Sequence, residues 1–292
     1  MNIQQLLIDN GIIFSDSIHE YASCVRDSEN IKVFRCSKSG VIFLQNSNHI
    51  TDKYYADKAE TTYWRSDVDR KDALKTTRRD DLRRFLEFAP ILSRKKFLDI
   101  GTGMGGILDL ASNVVSSIAA VEPISYMRTL LMNEGYTVYD QIDSISKDEK
   151  FDVISLFHVL EHIPDPSDIL SKAFELLEDG GKIIVEVPHS KDILLETLQL
   201  ESFKKFTLWS EHLVLHTRQS LNLFLSKSGF KNIVIKGVQR YSISNHLHWL
   251  VKGKPGGHIN YSHLETDRLR SAYEEMLASI DQTDTLLLIA EK

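Results

Sequence analysis

The chain has 292 residues, 42% of them hydrophobic and 26% charged, with a formal net charge of −6. That composition belongs to an ordinary globular protein able to bury a sizeable core, and its negative balance excludes long-range attraction to nucleic acid or an anionic membrane. No apolar run reaches the length that spans a bilayer, and Met1-Asn2-Ile3-Gln4 is unlike the start of a signal peptide, so a cytoplasmic protein is expected.

Residues 1–50 mix short apolar runs, expected as strands, with polar turns, and hold the only two cysteines, Cys24 and Cys36. Residues 51–90 read as helical and highly charged, with Tyr54, Tyr55, Tyr63 and Trp64 interleaved. Acids and bases alternate over residues 65–84, with Asp80 and Arg84 at i,i+4 spacing. This pattern reads as a solvated helix face, not as a basic patch.

Over residues 95–187 apolar runs and helical patterns alternate, which implies a parallel sheet wrapped by helices. Phe97-Leu98-Asp99-Ile100 is a strand that enters the turn Gly101-Thr102-Gly103-Met104-Gly105-Gly106. Glycines there let backbone N–H groups approach a ligand that a side chain would block. Glu122 ends the next strand, Ala120-Val121, and an acid at that distance suits two ribose hydroxyls. The pairing points to a cofactor that contains a nucleoside.

After a third strand, residues 140–143 fall where adenine would lie. Residues 151–156 form a fourth strand, followed by Phe157-His158-Val159-Leu160-Glu161-His162. The turn at Gly180-Gly181 opens a fifth, residues 182–187, ending at Pro188-His189. Residues 221–228 complete a helix closed by Gly229, and residues 230–238 and 284–291 are the last two strands. Between them lies an insertion, residues 239–283. Its Tyr241, His248 and Trp249 could form a sugar or base platform. Lys252, Lys254, Gly256, Gly257 and His258 could hold a phosphate, against the plainer alternative of a Pro-Gly turn with solvated lysines.

The D-x-G-x-G-x-G run of Asp99, Gly101, Gly103 and Gly105 resembles motif I of the class I S-adenosylmethionine (SAM) dependent methyltransferases. The series FDVI, HVLEHIPDP, LLEDGG and VEVP continues the resemblance over about residues 97–190. It is similar to the small-molecule branch that includes sugar- and polysaccharide-modifying members. The resemblance implies a Rossmann-like α/β fold of six parallel strands plus an antiparallel seventh. Residues 1–75 would be an N-terminal extension, and residues 76–292 the SAM-binding domain that carries the insertion. SAM would be held by Asp99, Gly101, Thr102, Gly103, Gly105, Glu122, Pro123 and the Phe157 backbone. Asp99 would help hold its amino-acid end, since a carboxylate attracts a cation and repels a diphosphate.

The implied reaction is methyl transfer to a small-molecule acceptor, a sugar hydroxyl or nucleotide sugar of surface polysaccharide biosynthesis, with no nucleic-acid partner and no membrane insertion. His158 and His189, both past strand tips, are the candidate bases, histidine having the suitable pKa range. Glu161 and His162 read as structural, tying their loop to the sheet. Two alternatives remain. One is an NAD-dependent oxidoreductase or epimerase using Gly101, Gly103 and Gly106 as G-x-G-x-x-G, disfavoured by the lack of an adjacent Tyr-x-x-x-Lys pair and by the terminal strand pair. The other is a SAM-binding protein without turnover.

Related sugar methyltransferases often begin with a C-x-x-C…C-x-x-C zinc module. The run from Arg35-Cys36 to Phe43-Leu44 resembles its second half, with Ser39 in place of a cysteine, and Asp27 follows Cys24 at the same spacing. Two thiolates do not make the four-ligand structural site that zinc prefers, so a metal-free relic is expected. A disulfide is not expected in a reducing compartment. A metal set of Glu161, His162, His212 and His216 would follow some RNA-end methyltransferases, which use a Glu-x-x-Glu-His helix and a distant histidine. It is set aside because His158 replaces the first glutamate, and no bound metal is expected.

Overall fold

A computed structural model describes residues 3–51, 54 and 69–292. The N-terminal part comprises α1 (Ile3–Asp9), β1 (Ile18–Ala22), β2 (Val33–Cys36) and β3 (Ile42–Leu44). The long helix α2 (Arg70–Leu92) follows, and then the alternating region: β4 (Lys96–Ile100), α3 (Gly106–Ala111), β5 (Ser117–Val121), α4 (Ser125–Asn133), β6 (Thr137–Tyr139), β7 (Phe151–Phe157), α5 (Pro166–Leu176) and β8 (Leu177–Pro188). Two short helices, α6 (Ile193–Glu196) and α7 (Glu201–Thr207), lead to β9 (Val214–Leu215), α8 (Arg218–Lys227) and β10 (Lys231–Val238). The insertion contains α9 (Ile243–Lys252), α10 (Gly257–Asn260) and α11 (Asp267–Ser279), and β11 (Thr285–Glu291) closes the chain.

Seven strands form the main sheet in the order β10-β11-β8-β7-β4-β5-β6. β4, β5, β6, β7 and β8 pair in parallel, while β11 is antiparallel to both β8 and β10. This is the six-plus-one sheet expected from the sequence. β7 reads Phe-Asp-Val-Ile-Ser-Leu-Phe and is buried along most of its length, as a central strand covered on both faces must be. Crossover from β5 to β6 on one side and from β6 to β7 back across β4 makes the order reverse beside β4, and ligands of open α/β sheets sit beyond the carboxyl ends at that point.

Local chemistry sets the helix starts. Asp165 caps α5 by accepting from the Ser167 and Asp168 N–H groups, with Pro166 as its first residue. Thr217 and Ser220 form a reciprocal capping box on α8. Gly229, with φ of 97°, follows α8 as expected.

Two features depart from the sequence reading. β9 joins β1, β2 and β3 in a separate antiparallel sheet, Phe43 facing Val214, a pairing across some 170 residues that no local pattern signals. The charged helix is not a solvated face: Asp81 and Arg84 are buried, at 8% and 7% exposure. Asp80 pairs with Arg240 rather than with Arg84. Tyr55, Tyr63 and Trp64 lie outside the described residues.

Asp27 and Ser39, which the sequence resemblance sets at zinc-module positions, make hydrogen bonds of their own. Asp27 accepts from both the N–H (2.9 Å) and the hydroxyl (2.7 Å) of Ser210. Ser39 accepts weakly from the Val41 N–H. Cys36 is buried beside Ser17, whereas Cys24 is exposed. Asp27→Ala should therefore lower unfolding free energy by about 1–3 kcal/mol, by orphaning the buried Ser210 groups. Urea denaturation checks this; an unchanged midpoint would mean the contact contributes nothing.

Candidate active site

The glycine turn after β4 has the geometry a cofactor needs. Gly101, Gly103 and Gly105 all have positive φ, at 72°, 57° and 75°, a region that side chains adopt only with strain. A Cβ at Gly101 would lie 2.4 Å from Val159, and one at Gly105 2.5 Å from Leu131. These two are therefore closed by packing. Gly103 has nothing within 4 Å and faces open space, so its backbone is the surface offered to a ligand.

Glu122, directly after β5, is only 3% exposed. Its two oxygens accept from the Gly103 N–H (2.8 Å) and the Ile124 N–H (2.9 Å). Burial pushes its carboxyl up to about 7, against those two hydrogen bonds. Pro123 follows, its carbonyl accepting from Arg128. Asp99 lies beneath the turn at 2% exposure and accepts from the Ser155 hydroxyl at 2.5 Å. Burial raises it to about 6 in spite of the Ser155 and Thr102 hydroxyls. Thr102 itself is tied to β5 by its N–H on the Val121 carbonyl. The structure thus brings Asp99, Thr102, the three glycines, Glu122 and Pro123 together around one turn.

A third carboxylate decides what that turn can hold. Asp81 of α2 presses on Gly106 so closely that a Cβ there would lie 2.1 Å from Oδ2. The first turn of α3 is where a dinucleotide's diphosphate would have to rest, and a buried acid repels it. A cofactor with a cationic amino-acid end fits the same surroundings. A family model described as a methyltransferase domain matches residues 37–235. The chain belongs to the class I SAM-dependent methyltransferases.

Other comparisons agree. A SAM-dependent methyltransferase from Archaeoglobus fulgidus superposes with a TM-score of 0.51 at 18% identity, covering 77% of this chain and 95% of that one. A phosphoethanolamine N-methyltransferase from Haemonchus contortus, solved with S-adenosylhomocysteine, gives 0.52 at 15% identity, covering 86% and 63%. These likenesses show the fold. Among curated proteins, a ubiquinone biosynthesis O-methyltransferase from Pseudomonas fluorescens is 32% identical over 102 residues, and one from Pseudomonas aeruginosa 34% over 104. Each match covers 32% of this chain and 44% of the relative, so the chain spans less than half the length of these relatives.

The methyltransferase's second cluster lies past β7. Phe157 is stacked between Phe88 (6.1 Å) and the Arg84 guanidinium (4.6 Å). His158 has a φ of 57°, a strained conformation for a residue with a side chain. Arg240 donates to its Nε2 (2.9 Å), which places the ring proton on Nδ1, 3.2 Å from Glu161 Oε1. Glu186 Oε1 lies 3.3 Å from the same Nε2.

Glu186 is fully buried near the end of β8 and is held by Arg83 (2.8 Å) and Arg84 (2.6 Å). Burial alone would raise its pKa, but Arg84, His158 and Arg83 hold it well below the usual carboxylate range. Glu161 is also buried, and against the burial penalty its neighbours His158 and His162 hold it down to about 2. Arg83, Arg84, Glu186 and Arg240 were all missed in the sequence. An acid inside the apolar strand Val185-Glu186-Val187 was the available signal, because such a group is seldom buried without a partner.

His189 occupies a different environment. It is 1% exposed, its Nδ1 bonds the Thr283 carbonyl, and its backbone bridges to His216. Burial pushes its imidazole well below the usual histidine range. The structure does not bring it to the glycine turn, from which β7 separates it.

The expected phosphate loop is a packed turn. Gly256 and Gly257 donate their N–H groups to Asn245 Oδ1, and a Cβ at Gly257 would lie 1.9 Å from the Ser244 carbonyl. The glycine serves close packing of α10 on α9, and no anion cradle is left. Trp249 is buried against Phe203 and Phe206 rather than open as a platform.

Binding should follow the ionisation of Glu122, because a carboxylate accepts from both ribose hydroxyls and a protonated acid gives one of its positions away. With its pKa raised to about 7, affinity for S-adenosylhomocysteine should rise as pH increases from 6 to 8. Glu122→Gln should remove that rise and weaken binding by about 1.5–3 kcal/mol at pH 8. Calorimetry across this range checks both; a parallel pH profile in the variant would count against the assignment.

Proposed function

We propose that this methyltransferase transfers a methyl group to a hydroxyl of a small polar acceptor, a sugar or nucleotide sugar of surface polysaccharide synthesis. The observation that carries the reading is His158, held in a strained backbone conformation at the tip of β7 with its ring oriented by Glu161. A base with a second group fixing its tautomer is what hydroxyl activation requires. The curated relatives are named as O-methyltransferases, which favours oxygen as the acceptor atom.

The polar acceptor is supported by a cleft of about 630 Å³ between α2, the end of β10 and α11. Arg79, Arg83, Lys236, Arg240 and Arg270 line it, alternating with acids such as Asp80 and Glu274. Such walls suit hydroxyls and phosphate and repel a flat apolar ring. Arg240 reaches from this cleft to His158, which links the cleft to the base. We assign residues 1–75 to an extension, 76–292 to the methyl-transfer unit and 239–283 to acceptor selection.

SAM, when bound, supplies an electrophilic methyl group. The turn around Gly103 and the Glu122 carboxylate hold its ribose, and Asp99 supports the turn from below. His158 Nε2, once Arg240 turns to the acceptor, takes the hydroxyl proton. The imidazolium so formed lies between Glu161 at Nδ1 and Glu186 at Nε2, whose charges stabilise it. His189, sealed from solvent, takes no part in this scheme.

A mass-shift screen of nucleotide sugars, with a quinol precursor as the alternative arm, should show a methyl group added to a sugar. With that acceptor, His158→Ala should lower kcat by roughly a hundredfold or more with SAM affinity nearly unchanged, and His189→Ala should lower it much less. Methylation of the quinol arm alone would replace the sugar reading, and equal turnover by His158→Ala would remove the base.

A further inference from the structure

Beside the site, Glu161, His162 and His212 each offer one ligand atom, and these atoms lie within 4.8 Å of one another. Glu161 and His162 come from the 3-10 turn Leu160–His162. His212 comes from the segment before β9, which is fastened to that turn by the Leu213 N–H on the Glu161 carbonyl (2.8 Å).

The hydrogen bonds fix the protons. His162 Nδ1 is 2.8 Å from the Glu211 carbonyl, and His212 Nδ1 is 3.1 Å from the Thr207 carbonyl. A carbonyl only accepts, so both Nδ1 atoms carry hydrogen. In each neutral ring the lone pair is then on Nε2. The third member is fully buried, and while Glu161 Oε1 accepts from His158, its Oε2 has no hydrogen-bond partner. When both rings are neutral, two imidazole lone pairs and the carboxylate meet without a donor, His162 Nε2 lying 3.9 Å from Glu161 Oε1. Such an arrangement is repulsive until a cation sits at its centre.

We propose that Glu161, His162 and His212 bind a divalent transition metal of the zinc type. Two imidazoles and one carboxylate are an established zinc donor set that leaves a fourth position open. Imidazoles whose Nδ1–H groups are anchored on carbonyls are in the orientation that metal ligation uses. Bonds of about 2.0–2.2 Å place ligand atoms roughly 3.5 Å apart, so closure takes shifts of about an ångström. Both imidazoles are partly exposed, which gives an ion a way in, while the carboxylate is sealed. His216 lies outside the group. The proposal departs from the sequence expectation of no metal, which rested on His158 standing in place of the first glutamate; here three ligands meet without that position.

The ion would also act on the reaction at one remove. It would fix Glu161, which orients His158, making Glu161 a positioning residue through the metal. The proposal does not rest on the identity of the acceptor.

The test uses the whole chain stripped with chelator and titrated with zinc sulfate by calorimetry, with cobalt(II) as an optical probe. One zinc per chain, cobalt bands of low-symmetry four- or five-coordinate type, and 15N shifts of His162 and His212 Nε2 on zinc addition are expected. His212→Ala and Glu161→Gln should each weaken zinc binding a hundredfold or more. His212→Ala, at a partly exposed position, should keep the metal-free melting temperature of the parent. Should a variant fail to fold, the 15N shifts of the parent decide. No zinc uptake by the parent, zinc that leaves both Nε2 resonances unmoved, or an Nε2–H of His162 bonded to Glu161 in the presence of zinc would overturn the proposal.

Discussion

The carboxylate of Glu186 is the group on which the site's architecture depends. It sits fully buried near the carboxyl end of β8, and a charge there is tolerable only with partners of opposite sign in good geometry. Arg83 and Arg84 supply them from α2, and so the helix is drawn across the end of the sheet. The same docking puts Asp81 against Gly106, stacks Arg84 on Phe157 and leaves Asp80 free to hold Arg240. One buried charge thereby fixes the helix beside the glycine turn and a wall of the cleft that Arg240 lines. Such pairs add little net stability over an apolar isostere; their effect is to permit one arrangement of α2 and penalise others.

A second chain of contacts reaches the site from the N-terminal sheet. β3 pairs with β9, and Asp27 and His49 fasten Ser210, His49 by donating to its carbonyl at 2.6 Å. Arg26 lies over Trp209 at 4.4 Å. The segment so held carries His212 next to Glu161, and Glu161 meets His158. Asp27 of the N-terminal unit therefore bears on the loop that carries His158, through its hydrogen bonds to Ser210.

The cofactor half of this molecule was legible because its signals are local. A strand, a glycine turn and an acid after the next strand occupy some 25 consecutive residues, and each glycine answers a backbone conformation or a close approach that can be stated in advance. Six of the seven main-sheet strands could be given residues from such local patterns, and the third only a place before residue 140. The rest depends on partners remote in sequence. Alternating charges on α2 have the same pattern whether water or Glu186 faces them, and the difference is set about a hundred residues away. Gly256 and Gly257 look like an anion loop until Asn245 takes their N–H groups. His158 and His189 stand alike past strand tips, yet one meets Arg240 and two carboxylates while the other is sealed beside Thr283.

The central claim is spatial: a cofactor held at Gly103 and Glu122 presents its sulfur toward His158 across β4 and β7. A crystal structure of the chain with S-adenosylhomocysteine tests it most directly. The account requires the ribose hydroxyls on Glu122, the amino-acid end over the glycine turn, and the sulfur within one acceptor oxygen's reach of the His158 ring. A ligand seated elsewhere, or a sulfur turned from His158 toward the β6 side of the sheet, would contradict it.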